Sequence, residues 1–205
     1  PETIKISSFS DDDIRKLIET CYGITNRGYT DRIVSIAEGN ARIAMLAGKL
    51  AADSESLAAI QDASDLYHNY YSKQLTALIE SDTGVRSAGI IAFIQAIHLN
   101  HLEKLASIFE VAGISGSDFK SDLKLLHRAE IVDLCNDEAA RISDQSFSNF
   151  LIKYVFVEEK IIPLSTMIET CFQINKSRTI DACNILLNVF SDQSVKGYVE
   201  SQINI

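Results

Sequence analysis

Apolar side chains recur every three or four residues along nearly the whole chain, which is the spacing of amphipathic α-helices. Polar capping residues and glycines divide this pattern into short helices. The predicted starts in the first quarter of the chain are Ser10, Thr30 and Asn40, and the predicted ends are Gly23 and Gly39. In the third of these helices the expected buried residues are Ile43, Leu46, Ala47 and Leu50.

Beyond this region the pattern predicts three further parts. A polar, alanine-containing stretch predicts a helical linker, and it is followed by helices at 85–99, 101–111 and 117–128. Two strand-like runs, "EIVDLC" and "ARIS", then predict a hairpin, and three helices with a hairpin are the layout of a winged helix-turn-helix. Helices are expected again at 144–158, 163–174 and 176–190. The sequence thus predicts an all-α fold with one small hairpin, divided into 1–52, 53–81, 82–143 and 144–205.

Composition narrows the class of protein. Of the 205 residues, 46% are hydrophobic and 23% are charged, which is typical of a globular chain. There are 19 basic and 28 acidic side chains, and the net charge of −9 is the opposite of what a general nucleic-acid binder carries. The four cysteines lie far apart in apolar runs, so we expect reduced, mostly buried thiols in a cytoplasmic protein. We expect no membrane segment, and the opening at Pro1 suggests a piece of a longer protein.

Motifs for independent catalysis are absent from the sequence. It contains no GxxxxGK[ST], GxSxG or HExxH motif and no paired cysteine cluster, so we expect no enzyme activity from this chain alone. His98 and His101 have a spacing that allows two metal ligands, but no third ligand lies near them in sequence. We interpret them as ordinary histidines at a helix boundary.

An arginine in the first turn of a helix is the most informative feature. In "AEGNARIA", Arg42 directly follows the predicted cap Asn40, where the helix dipole disfavours a cation by roughly 0.3–1 kcal/mol. An arginine beside the backbone N–H groups of a helix start suits a bound anion, above all a phosphate. Lys49 is expected on the same face. The alternative is an exposed arginine paired with a neighbouring carboxylate such as Glu38.

Two stretches resemble a known nucleotide-binding family. "IKISSFSDDDIRKLI" and "DRIVSIAEGNARIA" are similar to the exit of an AAA+ ATPase core into its helical lid, where G-x-[AP]-R begins the third lid helix. In that family the arginine, named sensor 2, contacts the terminal phosphates of the nucleotide. The resemblance assigns this role to Arg42, with Asn40 beside it. It implies ATP or ADP with Mg²⁺ in the parent protein and no cofactor in this chain.

The order of lid, winged helix and further helices resembles the STAND branch of P-loop NTPases, the signalling ATPases of immune and antiphage sensors. "RISDQSFSNFLIKYVF" is similar to the segment after the winged helix in bacterial members. The resemblance implies a non-catalytic regulatory region that packs on an N-terminal NTPase core of the same chain and controls homo-oligomerisation. Plant and animal members carry Met-His-Asp after the wing, and its histidine touches the ADP phosphate. Here Ser143 takes that place, and Asp144 is expected to cap the next helix.

Two other classes of function stay open. A winged helix can bind DNA, and the presumed recognition helix "SDFKSDLKLLHR" offers Lys120, Lys124 and Arg128. Because Asp118 and Asp122 dilute this charge, we expect the winged helix to pack within the protein and nucleic acid to be an unlikely partner. The third class is a helical protein-interaction scaffold without a nucleotide role, which a local pairing of Arg42 with an acid would favour.

Overall fold

The computed structural model describes residues 9–53, 63–136, 138–190 and 193–203. This part of the chain is mostly helical and contains one small three-stranded antiparallel sheet. The chain divides into two compact units, Pro1–Ser72 and Lys73–Ile205, and the division falls within helix α4 (Ala63–Ile79). The four-part division predicted from the sequence is finer and stays a prediction. Part of its linker, residues 54–62, lies outside the described residues.

The first unit contains three short helices before α4. They are α1 (Asp11–Tyr22), α2 (Arg27–Ala37) and α3 (Ala41–Ala52). The predicted start and end of α1 are confirmed. The Ser10 hydroxyl accepts from the backbone N–H of Asp13, the Asp13 carboxylate accepts from the backbone N–H of Ser10, and Gly23 ends the helix with φ +66°.

Helix α2 begins earlier than the sequence predicted. Its cap is Asn26, whose side-chain oxygen accepts from the backbone N–H of Tyr29 at 3.2 Å. Thr30 is a buried residue inside the helix, and its hydroxyl donates to the carbonyl of Arg27 at 3.1 Å. The prediction of Thr30 as the cap is therefore wrong, because asparagine caps a helix at least as well as threonine and comes first in the chain.

The core of the first unit is formed by the apolar faces of α1, α2 and α3. The expected buried stripe of α3 is confirmed apart from Leu46, which is half-buried. Gly48 allows α3 to lie close to α1, because a Cβ atom at this position would be 2.6 Å from a ring carbon of Tyr22. Arg15 of α1 also forms an ion pair with Asp31 of α2 at 2.8 Å.

The second unit starts with three helices and a sheet. Its first elements are α5 (Asp82–Ile94), β1 (Ile97–His98), a 3₁₀ segment (Leu99–Leu105), α6 (Ala106–Ala112), α7 (Gly116–Arg128), β2 (Val132–Cys135) and β3 (Ala139–Ile142). The strands pair in the order β1-β3-β2. The predicted hairpin is confirmed, with Val132 opposite Ile142 and Cys135 opposite Ala139.

The third strand was not predicted. The helix expected over 85–99 ends at Gln95, which adopts φ +70°, and the next residues pair with Ala139 and Ala140 of β3 as strand β1. The helix expected over 101–111 is instead a 3₁₀ segment, which His101 interrupts with a non-helical backbone, followed by α6 from Ala106. These two predictions are wrong at their boundaries, because a two-residue strand gives no periodic signal of its own.

The remaining chain is helical, as predicted. Its elements are α8 (Gln145–Lys153), a π-helical segment (Tyr154–Glu158), α9 (Leu164–Ile174), α10 (Lys176–Asn188) and α11 (Gln193–Ile203). Pro163 is the residue before α9 rather than part of its first turn. Lys153 is buried at the end of α8, where its ammonium pairs with Glu158 at 2.5 Å and lies 5.2 Å from the centre of the Phe190 ring.

Helix α5 is the central element of the second unit. It packs against α7, α8, α10 and β3, and most of its residues are buried. Small side chains make this packing possible. A Cβ atom at Gly89, for example, would lie 2.8 Å from a methyl group of Val155 in the π-helical segment.

Two polar side chains fix the position of α5. The buried carboxylate of Asp122, on α7, accepts from the hydroxyls of Ser87 at 2.7 Å and Thr83 at 3.1 Å. The guanidinium of Arg86 donates to the carbonyls of Ala112 at 2.9 Å and Ile161 at 3.1 Å. The expectation that Asp122 dilutes the positive charge of the recognition helix is therefore wrong, because its carboxylate is buried and turned towards α5.

We expect the substitution Ser87→Ala to lower the free energy of unfolding by about 1–3 kcal/mol, since it removes a donor from the buried Asp122 carboxylate. Ser121→Ala is the matched control, because Ser121 is exposed on the same helix as Asp122. The control should change the free energy of unfolding by less than about 0.5 kcal/mol. Urea unfolding followed by circular dichroism measures both, and equal effects would contradict the assigned role of Ser87.

Candidate functional site

The start of α3 is built around Asn40. The side-chain oxygen of Asn40 accepts from the backbone N–H groups of Arg42 at 3.0 Å and Ile43 at 3.3 Å. Asn40 is thus confirmed as the cap of the helix. The same contacts correct one expectation from the sequence, because these two N–H groups are already used and do not point to a phosphate.

The turn before α3 is held by backbone hydrogen bonds. Glu38 and Gly39 adopt left-handed conformations with φ +45° and +79°, and the N–H of Asn40 donates to Ala37 at 2.7 Å. The N–H of Phe9 donates to the carbonyl of Gly39 at 3.0 Å, which ties the chain before α1 to this turn. Arg42 follows as the second residue of α3, and its side chain is exposed. The guanidinium therefore stands on a fixed backbone at the surface of the first unit.

Lys49 is engaged at the other end of α3. Its ammonium donates to the hydroxyl of Tyr70 on α4 at 3.0 Å and lies 5.3 Å from the centre of the Tyr70 ring. This hydrogen bond raises the pKa of Lys49 above its ordinary value. Tyr67 and Tyr71 are buried, and Tyr70 packs edge-on against Tyr71. The Lys49 ammonium thus already has a protein partner.

Ser143 belongs to the second unit and closes the base of the hairpin. Its hydroxyl donates to the carbonyls of Glu130 at 2.6 Å and Ile131 at 3.0 Å, and its N–H donates to Ile131 at 3.0 Å. These contacts satisfy backbone groups beside Glu130, which has φ +59°. The Ser143 hydroxyl, which takes the place of the family's nucleotide-contacting histidine, therefore donates its proton within the second unit. Asp144 is confirmed as a helix cap, because it accepts from the N–H of Phe147 at 2.8 Å.

The basic residues of α7 form one exposed stripe. Lys120, Lys124 and Arg128 are spaced four residues apart and are all exposed. Within the described residues, none of the three has an ion pair. Asp122 is turned inward, and the Asp118 carboxylate accepts from the backbone N–H of the cap Ser115, so this face is more basic than the sequence suggested. We call these three residues the α7 stripe.

The cysteines differ in exposure. All four are free thiols, but Cys21 and Cys135 are exposed, Cys183 is half-buried and only Cys171 is buried. The expectation of mostly buried thiols is therefore wrong for two positions. Each of these two lies at the end of its helix or strand, where the apolar pattern meets solvent.

In the part of the chain that the structure describes, no group of three or more His, Cys, Asp or Glu side chains is arranged to hold a metal ion. His98 lies in β1 and His101 in the 3₁₀ segment, where its ring is 3.5 Å from Glu103. None of the described helices is both long enough and apolar enough to cross a membrane. Comparisons with protein-family models, curated proteins and solved structures gave no match.

Asn40 and Arg42, both at the start of α3, should differ in how much each contributes to the free energy of unfolding. Asn40→Ala should lower the free energy of unfolding by about 1 kcal/mol, because it removes the acceptor for two backbone N–H groups. Arg42→Ala should change it by less than about 0.5 kcal/mol, since the side chain is exposed. Urea unfolding of both variants tests this. A loss for Arg42→Ala as large as that for Asn40→Ala would indicate that Arg42 is a structural residue.

Proposed function

We propose that this chain is a regulatory, non-catalytic region of a cytoplasmic STAND-type signalling NTPase. In this proposal the first unit is the helical lid and the second unit contains the winged helix and the helices that follow it. The partner is an NTPase core in the same polypeptide, which binds ATP or ADP with Mg²⁺. Release of the lid from that core permits homo-oligomerisation, so the nucleotide acts by favouring one of two domain arrangements.

The exposed arginine at the start of α3 carries the proposal. The cap Asn40 and the tether from Phe9 to Gly39 hold the first turn of α3, and the side chain of Arg42 in this turn is exposed. A cation at a helix start is disfavoured by the helix dipole. An anion bound there stabilises the cation, because it offsets this repulsion and accepts charge-assisted hydrogen bonds. A guanidinium also matches phosphate oxygens with two parallel donors.

The order of elements in the second unit also supports the proposal. Helix α5, strand β1, helices α6 and α7 and the β2–β3 hairpin follow one another, and the sheet order β1-β3-β2 places the first strand beside the hairpin. This is the arrangement expected of a winged helix, with α7 in the place of its third helix.

At the start of α3, only the side chain of Arg42 is assigned to a phosphate. Arg42 supplies the charge and the donors, whereas the N–H groups of Arg42 and Ile43 are used by Asn40. Ser143 donates its hydroxyl proton to carbonyl groups of its own unit. The proposal therefore assigns nucleotide contact to Arg42 and assigns structural roles to Asn40 and Ser143.

We expect Arg42→Ala to weaken nucleotide binding by the full-length protein by about tenfold or more, the range for loss of a charge-assisted hydrogen bond. Titration with a fluorescent ADP analogue gives the dissociation constant. Lys16→Ala is the matched control, because Lys16 is an exposed cation on α1, and its dissociation constant should stay within about twofold of the wild type.

Three results would contradict the proposal or its assignment of Arg42. The first is an unchanged affinity for ADP in the Arg42→Ala protein. The second is ATP hydrolysis by the purified 205-residue chain, which has no phosphate-cradling GxxxxGK[ST] motif. An affinity loss in the Lys16→Ala control equal to that of Arg42→Ala would show a general effect of charge and would also reject the assignment.

A second candidate function is DNA binding through α7. The α7 stripe favours it, because its three cations share one exposed face and the acid among them, Asp122, is buried. The net charge of −9 opposes it by repelling the phosphate backbone. Leu125 also interrupts the face, with 55% of its side chain exposed.

For this candidate we expect weak, non-specific binding to duplex DNA, with a dissociation constant no better than ~10⁻⁴–10⁻⁶ M at physiological salt. Fluorescence anisotropy with duplexes of different sequence measures it. Nanomolar, sequence-dependent binding that is lost on replacing the α7 stripe with alanine would favour DNA binding over the lid proposal. A control protein with alanine at Lys16, Arg27 and Lys176 removes the same charge elsewhere.

A further inference from the structure

A cavity of about 240 Å³ lies in the second unit, between the end of α5, the 3₁₀ segment, α6, α9 and α10. Its deep wall is apolar and includes the buried side chains Phe93, Ile97, Leu105, Ile108 and Cys171. Burial raises the pKa of Cys171 to about 12, so its thiol stays protonated at neutral pH and belongs to the apolar wall. This volume is just below the range typical of drug-sized ligands, so the cavity suits a smaller molecule.

The basic side chains that line the cavity are His98, His101, Lys104 and Arg178, and none of the described lining residues is acidic. Within the described residues, the ammonium of Lys104 and the ring of His98 have no hydrogen-bond or ion-pair partner. The ring of His101 lies 3.5 Å from Glu103. Lys104 and Arg178 thus bring two cations to one apolar cavity in a chain with net charge −9.

Arg178 is held in place at the cavity. One terminal nitrogen of its guanidinium donates to the side-chain oxygen of Gln95 and lies 3.6 Å from Asp181. Gln95 ends α5 with φ +70° and ψ −41°, a conformation that costs free energy in a residue with a side chain. In this strained conformation, Gln95 accepts the hydrogen bond from Arg178. The second terminal nitrogen makes no hydrogen bond within the described residues and can donate to a ligand.

We propose that this cavity binds a small organic acid with an aliphatic body and one carboxylate group. The aliphatic body lies against Phe93 and Ile108, where burial of apolar surface stabilises it. The carboxylate lies at the mouth, where it accepts hydrogen bonds from Lys104 and Arg178. This inference is independent of the proposed nucleotide contact, because every residue that it uses belongs to the second unit.

Calorimetric titration of the 205-residue chain with sodium octanoate tests the proposal. Octanoate should bind more tightly than octanol and octylammonium, which have the same number of carbon atoms without the negative charge. Lengthening the chain from butanoate to octanoate should improve the affinity by about fourfold for each methylene group that enters the cavity. The improvement should stop when the cavity is full.

Two substitutions at exposed positions locate the binding site without disturbing the core. Lys104→Gln should weaken octanoate binding by about threefold or more, the range for an exposed ion pair. Ala96→Phe should reduce it further, because Ala96 is exposed at the cavity and a phenyl ring there obstructs it. Lys120→Gln is the matched control, since Lys120 is exposed on α7 and does not line this cavity.

Octanol that binds as tightly as octanoate would overturn the proposal, and so would the absence of octanoate binding. Equal binding by the wild type and the Ala96→Phe variant, with unchanged melting temperatures, would place octanoate elsewhere and would also overturn it. A tetrapeptide with a free C-terminal leucine that binds more tightly than octanoate would assign the cavity to a chain terminus instead.

Discussion

The burial of helix α5 on most of its faces is the constraint on which the second unit depends. A helix in this position must have small residues where neighbours approach, and Gly89 provides the space for Val155. It must also satisfy its polar groups internally, because an unpaired buried group costs about 1–3 kcal/mol. Ser87 therefore binds Asp122, and Arg86 binds carbonyl groups from two other segments. The contact between Ser87 and Asp122 turns this side of α7 towards α5, and the α7 stripe faces solvent.

The sequence predicted the elements whose signals are local. Ser10, Asn40 and Asp144 cap their helices as expected, and the hairpin has its expected strands. The predictions of helix and strand boundaries are wrong in two situations. In one, two neighbouring residues could each cap the helix, and in the other, a segment distant in sequence determines the structure. Thr30 and Asn26 are both of residue types that cap helices, and only the structure shows which of them begins α2. Strand β1 exists because β3 lies beside it, and two residues have no period that would reveal the pairing.

At the candidate sites, too, local sequence signals predicted only part of the arrangement. The exposed position of Arg42 followed from its place in the capped helix, but the use of the neighbouring N–H groups by Asn40 did not. The inward turn of Asp122 depends on hydroxyl groups that lie 35 and 39 residues earlier in the chain. The basic cavity is harder still to predict, because Lys104 and Arg178 come from separate elements and only the packing of α10 against α5 brings them to one opening.

Net charge is a weak guide to the partners of such a chain. At physiological ionic strength charges are screened beyond about 8 Å, so an anion at the surface responds mainly to the side chains next to it. Arg42, the α7 stripe and the mouth of the cavity each concentrate positive charge in a chain with nine more acids than bases. The overall negative charge lowers the rate of approach of a large polyanion such as DNA, because it presents many charges over a wide surface. It affects a single phosphate or carboxylate much less, which favours small anions as ligands at Arg42 and at the cavity.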